Sequence, residues 1–123
     1  MTVGVTMRPS LTVGDLARAS SVAPSAVRFY EAHGLLVSER TTGNQRRFRE
    51  LDVCRTKIIR VAQRVGLSIS EIKTLLSDLP ADPTLADWEN LAKRLVAEAN
   101  RRIQQLQRVL EEITTGGKLC ELP

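Results

Sequence analysis

Three arginines, Arg46, Arg47 and Arg49, fall within four positions of the stretch GNQRRFRE, beside the amides of Asn44 and Gln45 and behind Gly43. Guanidinium groups this close repel one another, and no adjacent run of acids neutralises them. The crowding makes physical sense where an outside polyanion supplies the missing charge. Arginine forks and side-chain amides both reach phosphate oxygens, and each phosphate neutralised releases counterions, so affinity should fall steeply with salt. Arg40 ahead of the loop, and Arg55, Lys57, Arg60 and Arg64 after it, widen the cationic zone. A charged loop is also an ordinary solvated surface, so what lies before it in the chain decides between the two readings.

Other chemistry is sparse. There is one histidine, no glycine-rich phosphate loop, no nucleophile with an evident base and no carboxylate pair in an apolar setting, which argues against an enzyme. His33 precedes Gly34 at a helix end, where it caps carbonyls rather than binding a metal. Two cysteines, Cys54 and Cys120, neither form a disulfide framework nor show zinc-site spacing. Cys54 reads as a small core residue. Cys120 is an unremarkable tail thiol or, on a weaker reading, a sensor of oxidation. No metal ligands are assigned and no cofactor is expected.

Charge is distributed unevenly over the 123 residues. Residues 1–80 hold 12 Lys+Arg against 7 Asp+Glu, a net of +5, whereas residues 81–123 hold 6 against 7, a net of −1. A basic head carrying a neutral tail fits a polyanion-binding module attached to something with another task. No apolar run approaches the roughly 20 residues that span a bilayer, and the opening MTVGVTMRPS lacks a signal-peptide pattern. The expected compartment is the cytoplasm, with no membrane partner.

The elements that must position these arginines are mostly helices, since aromatics make up only 3% of the chain and aliphatic side chains must do the packing. Thr12 with Asp15 caps a first helix carrying Leu16, Ala17 and Ala19. Pro24 opens a second, which Gly34 stops. Two short helices joined through Ala19–Ser21 read as a helix-turn-helix. In the second helix Phe29 is the better core candidate, while Ser25, Ala26, Arg28 and Tyr30 lie near the exposed start. There Arg28 can donate two hydrogen bonds to a guanine edge, and Tyr30 can offer its hydroxyl to a phosphate. Val37 and Phe48 flank a Thr-Thr-Gly-Asn turn, the pattern of a small β-hairpin. A third helix over 51–65 presents Val53, Ile58, Val61, Ala62 and Val65 as its apolar stripe and ends at Gly66. Ser68 with Glu71 caps a fourth, Ile69 to Leu79, closed by Pro80. A basic hairpin directly after a helix-turn-helix has the arrangement of a wing lying along a DNA backbone.

The last element is long. Trp88, Leu91, Leu95, Ala99, Ile103, Leu106, Leu110 and Ile113 recur every three or four residues from Thr84 to about Thr114, a helix on the order of 45 Å. An apolar stripe of that length needs a partner, and a second copy of the chain is the simplest one. The domain reading is a disordered lead over 1–10, a DNA-binding head with connecting helices over 11–80, a dimerisation helix over 84–114 and a tail over 115–123.

LTVGDLARASSVAPSAVRFYEAHGLL followed by GNQRRFRELDV resembles the N-terminal head of the MerR family of bacterial transcription regulators. GNQRRF, AQRVGLSISEI and LADWENLAKRL resemble its SoxR branch, so that the similarity runs over about 11–113. The resemblance implies a mainly α fold: a winged helix-turn-helix head, connecting helices and an antiparallel coiled-coil homodimer. It implies sequence-specific binding to a palindromic promoter between the −35 and −10 elements. Activation then follows from bending and underwinding the DNA for RNA polymerase in response to a stress or small-molecule signal. It assigns Arg28 and Tyr30 to the recognition helix, Asn44, Gln45, Arg46 and Arg47 to the wing, and Arg18 to a backbone contact, to which the basic zone adds Ser25 and Arg60. The SoxR branch also carries four clustered cysteines that ligate a [2Fe–2S] centre. Here the corresponding stretch, ITTGGKLCELP, offers Cys120 alone, and one thiolate cannot hold that cluster. Either sensing takes another route, or the sequence is an altered or shortened form. An architectural or repressing DNA-binding protein without a sensor is the alternative function, and a ligand pocket lined by the long helix and Trp88 is another.

Overall fold

The structure is a computed structural model describing residues 9–115, 117 and 119–121. The expected lead over 1–10 thus lies largely outside the described residues. Six elements make up a first compact unit, which ends at Asp78, and a second unit begins at Leu79. The first holds α1 (Val13–Ser20), α2 (Pro24–Ala32), β1 (Glu39–Arg40), β2 (Arg46–Arg47), α3 (Leu51–Val65) and α4 (Ile69–Ser77). The second holds α5 (Leu85–Thr115) and a 3-10 turn at Leu119–Glu121. The fold is mainly α.

Local chemistry explains where each helix starts. Thr12 Oγ1 accepts the Asp15 N–H at 3.0 Å and the Asp15 carboxylate accepts the Thr12 N–H at 3.0 Å, a reciprocal cap on α1. Ser68 and Glu71 repeat the device on α4, at 3.1 and 2.7 Å. Pro24 occupies the first turn of α2, where its missing N–H costs nothing. α2 ends where Gly34 takes φ +77°, a left-handed conformation that favours glycine. The Thr84 N–H and hydroxyl both donate to Asp87 Oδ2 before α5.

α1, α2 and α3 pack around Leu16, Val27, Leu36, Phe48 and Ile59, all essentially inaccessible to solvent. Phe48 ties the hairpin to this core. Its N–H donates to the Leu11 carbonyl at 2.7 Å, and its own carbonyl accepts from Ser10 and Leu11 at 2.9 Å each. The chain entering α1 therefore pairs with the base of the wing. Truncating a ring so fully buried costs about 3–5 kcal/mol.

The buried face of α3 differs from the stripe read in the sequence. Asp52, Thr56, Ile59 and Ala62 face inward, whereas Val61 is 46% exposed and Cys54 lies on the surface. Two polar residues take core positions because their hydrogen bonds are satisfied locally. Thr56 Oγ1 donates to the Asp52 carbonyl at 2.7 Å, and Asp52 Oδ2 accepts the Arg49 N–H at 2.9 Å. Polarity disguised the inward face, and Cys54 is consequently not a core residue. α4 stops at Ser77, two residues short of the expected Leu79.

α5 runs for 31 residues. Leu91 and Leu95 are buried and Trp88 and Ala99 are intermediate, while Ile103, Leu106, Leu110 and Ile113 are 43–68% exposed. Glu98 pairs with both Arg101 and Arg102, whose hydrogen bonds hold its carboxyl down to about 2.

Candidate nucleic-acid interface

The second helix is short. α2 spans nine residues, about 13.5 Å at 1.5 Å per residue, comparable to the width of a B-DNA major groove. Its inward face is Val27 and Tyr30, and its outward face is Ser25, Arg28, Phe29, Ala32 and His33. Ser25 and Arg28 are thus exposed as expected, and Arg28 has no ion-pair partner among the described residues.

The two aromatics exchange the places assigned to them by sequence. Tyr30 is 4% exposed, and its hydroxyl donates to Gln63 Oε1 of α3 at 2.7 Å. Burial pushes that phenol up, against the opposing pull of Arg60. Phe29, expected in the core, is 44% exposed. The helical period settles the exchange: Val27 points inward, and Tyr30 follows three positions later on the same face, leaving Phe29 outside. Exposure follows that spacing, not hydrophobicity. His33 is the C-cap of α2, its N–H donating to the Phe29 carbonyl at 3.1 Å, while its ring packs on Phe29 with centroids 4.2 Å apart.

The wing is a two-residue antiparallel ladder, Glu39 opposite Arg47 and Arg40 opposite Arg46. Asn44 takes φ +61° at its tip, one of the few side chains that tolerate this conformation. Thr41 closes the turn by donating its N–H to the Gln45 carbonyl at 2.9 Å. Gly43, Asn44 and Gln45 are exposed.

The wing arginines have separate surroundings. Arg46 donates from Nε to Glu31 of α2, which also accepts from the Ser38 hydroxyl. Burial alone would push the Glu31 carboxyl up, but those two hydrogen bonds and the Arg46 charge outweigh it and hold it below the usual carboxylate range. Arg47 folds along the hairpin, donating to the Arg46 carbonyl at 2.9 Å and to Gln45 Oε1 at 3.1 Å. Arg40 reaches the Asn44 carbonyl at 3.3 Å. These bonds turn a flexible loop into a braced one.

On α1, Arg18 pairs with Asp15 at 2.7 Å, its side chain 76% exposed. Arg60 is exposed on α3. The head therefore gathers Arg18, Ser25, Arg28, Asn44, Gln45, Arg46, Arg47 and Arg60 on one compact unit, with Tyr30 held inside it. Sequence reasoning missed Glu31, the anion that anchors Arg46. Only its place among basic residues hinted at it, and that partnership needs the fold. It also missed Phe29, which the 25, 28/29, 32/33 spacing could have revealed.

A shallow cleft of about 160 Å³ in the head is lined by Gly34, Leu35, Arg55, Lys73, Leu76 and Ser77. Arg55 donates from Nε to the Leu35 carbonyl at 2.9 Å beside it. Among the described residues no three His, Cys, Asp or Glu side chains are grouped as a metal site. Cys120 is exposed in the 3-10 turn. No helix among the described residues is long and apolar enough to cross a membrane.

Comparison with known proteins agrees with this geometry. A family model described as MerR HTH family regulatory protein matches residues 11–79, and a second, described as MerR, DNA binding, matches residues 53–115. The HTH-type transcriptional activator SoxR homolog of Chromobacterium violaceum is 39% identical over 106 residues, 85% of this chain and 72% of that protein. Among solved structures, the HTH-type transcriptional regulator SkgA from Caulobacter crescentus has a TM-score of 0.55 at 25% identity, covering 91% of this chain and 84% of that one. HiNmlR, a MerR family regulator lacking the sensor domain and bound to promoter DNA, has a TM-score of 0.55 at 22% identity, covering 84% and 83% of the two chains, a likeness of fold alone.

Proposed function

The chain belongs to the MerR family of helix-turn-helix transcription regulators, and from that premise we propose that it acts as a homodimer on one palindromic promoter. The dimer sits between the −35 and −10 elements and bends and underwinds the duplex, so that RNA polymerase meets both in register. A stress or small-molecule signal controls that step. The chain works in the cytoplasm, on nucleoid DNA.

The observation that carries this reading is the braced wing beside an exposed Arg28. Arg28 and Ser25 supply donors at the base edges. Asn44, Gln45, Arg47, Arg18 and Arg60 hold the phosphate backbone, fixing register without reading sequence. Arg46, engaged by Glu31, sets the angle of the wing, and Tyr30, bonded to Gln63, sets the pitch of α2. Two copies are needed because nine residues of α2 reach only one half-site, and the second half lies about one helical turn away. The exposed Ile103, Leu106, Leu110 and Ile113 supply the seam.

The test is an anisotropy titration against the best duplex recovered from a random library by the purified chain. Binding at least about 10³-fold tighter than to random DNA, weakening steeply with added salt, is the expected result. Equal affinity for selected and random duplexes removes the reading. In vitro transcription from a promoter with a lengthened spacer then reports whether bound protein raises open-complex formation.

A further inference from the structure

Phe29 has no role in the contacts assigned so far, and its placement is physically odd. A phenyl ring 44% exposed stands on the outward face of a short helix, flanked by Ser25 and Arg28 on the same stripe. The inward face of α2 is already filled by Val27 and Tyr30. The ring nonetheless has two ring neighbours. His33 packs against it at 4.2 Å with planes inclined by 58°, and Tyr30 meets it edge-on at 6.1 Å and 69°. An aromatic packed against two rings and still open outward is available for a contact outside the molecule.

The neighbours indicate what that contact is. Phe29 carries no donor or acceptor, so it cannot serve a phosphate. It shares its face with the guanidinium of Arg28 and the hydroxyl of Ser25, a composition that suits a groove-reading surface better than an apolar docking face. In the major groove the one apolar group on a base-pair edge is the pyrimidine 5-methyl.

Resting on the promoter-binding reading above, we propose that Phe29 is a specificity-determining residue that reads a thymine 5-methyl group in each half-site. The ring's open edge covers the methyl and removes it from water, while Arg28 reads an adjacent base. Uracil at that position offers the same hydrogen-bonding edge without the methyl, and 5-methylcytosine offers the methyl on a different edge.

The experiment uses the selected duplex with each thymine replaced in turn by deoxyuridine, titrated against the full chain. One symmetric pair of positions should lose affinity, about fourfold per half-site and about tenfold or more for both, the worth of one buried methyl in each. With Phe29→Ala, affinity for the thymine duplex falls and uracil and thymine become equivalent at that pair. Phe29→Leu, which keeps an apolar side chain, retains part of the discrimination and guards against misfolding, with circular dichroism checking both variants. At the same pair, unmethylated cytosine and 5-methylcytosine test whether the methyl alone is sensed: a gain on methylation in the wild type, lost in Phe29→Ala, supports the proposal. If deoxyuridine is tolerated everywhere, the proposal falls while promoter binding stands. The proposal falls equally if Phe29→Ala keeps full sensitivity, since another residue then reads the methyl. A chain that binds selected and random duplexes alike overturns both readings together.

Discussion

Arg46 in the wing is ion-paired through Nε to Glu31 in α2, so one side chain links the hairpin to the second helix of the helix-turn-helix. The pair is partly shielded, with side-chain exposures of 35% and 18%. Replacing Glu31 by Gln frees Arg46 from its anchor and adds one unbalanced cation per protomer. Stability should fall by about 1 kcal/mol, the order expected of a half-shielded charge-assisted bond. Random-sequence DNA should be bound more tightly, with the salt slope steeper by up to about one per protomer, while preference for the selected duplex shrinks. Anisotropy at several salt concentrations measures both. Because the Glu31 carboxyl titrates below its ordinary value, its contribution is present above the usual carboxylate range and lost only as pH falls through the lowered one. Around neutrality the clamp is insensitive to pH, and a wild-type specificity that varied between pH 6 and 8 through this pair would count against it.

Ser20, at the end of α1, is 1% exposed, and its hydroxyl has no hydrogen-bond partner among the described residues. An unpaired buried hydroxyl costs about 1–3 kcal/mol. Ser20→Ala removes that cost and improves helix propensity at the same position. The variant should be stabilised by about 1 kcal/mol in urea unfolding, with the slope of the transition unchanged. A loss of stability would show that the hydroxyl finds a partner in solution.

Asp52 is a buried carboxylate in the core face of α3, 3% exposed. Burial pushes its carboxyl up, only partly offset by the Arg49 N–H and by the charges of Arg49 and Arg55. A folded value above the unfolded one means that the folded state binds the proton more tightly. The ionised form is therefore a cost at neutral pH, relieved as pH falls through the raised value. Asp52→Asn keeps an acceptor for the Arg49 N–H and deletes the charge. Its stability relative to the wild type should be more favourable at pH 7 than at pH 4. Paired urea titrations at the two pH values measure that difference, and one of opposite sign would show that the arginines dominate.

Much of the head was legible because its helix boundaries are chemically marked. Thr12 with Asp15, Pro24, Gly66 and Ser68 with Glu71 act on their immediate neighbours, so sequence alone locates them. The hairpin was legible through Asn44, which accepts the positive φ of the turn. What escaped depends on hydrogen bonds that side-chain hydrophobicity does not register. Tyr30 goes inward because Gln63 on another helix takes its hydroxyl, and Asp52 and Thr56 occupy core positions because their polar atoms are satisfied locally. Reading by hydrophobicity put Phe29 in and Tyr30 out, and it selected Val61 and Cys54 over Thr56 for the core of α3. The wing arginines were found by charge, whereas the division of labour between them, Arg46 tied to Glu31 and Arg47 lying along the hairpin, required coordinates.

The proposed seam between copies is tested on the outer half of α5. On α5, Leu91 and Leu95 are already buried within one chain, whereas Leu106 and Leu110 are 68% and 60% exposed one turn apart. If the outer half of the helix is a seam between copies, Leu106→Glu with Leu110→Glu places two like charges on each copy where apolar side chains should meet. Loss of this seam should convert a dimer to a monomer in sedimentation at micromolar concentration, while the head keeps its fold, since neither residue belongs to the first compact unit. Affinity for the selected palindrome should then fall by about 10²-fold or more, as two half-sites are no longer held by one particle. Binding to random DNA, carried by the wing and α2 of each head, should change far less. A double variant that still sediments as a dimer assigns assembly to another surface. One that becomes a monomer yet binds the palindrome undiminished shows that each head reads its half-site independently.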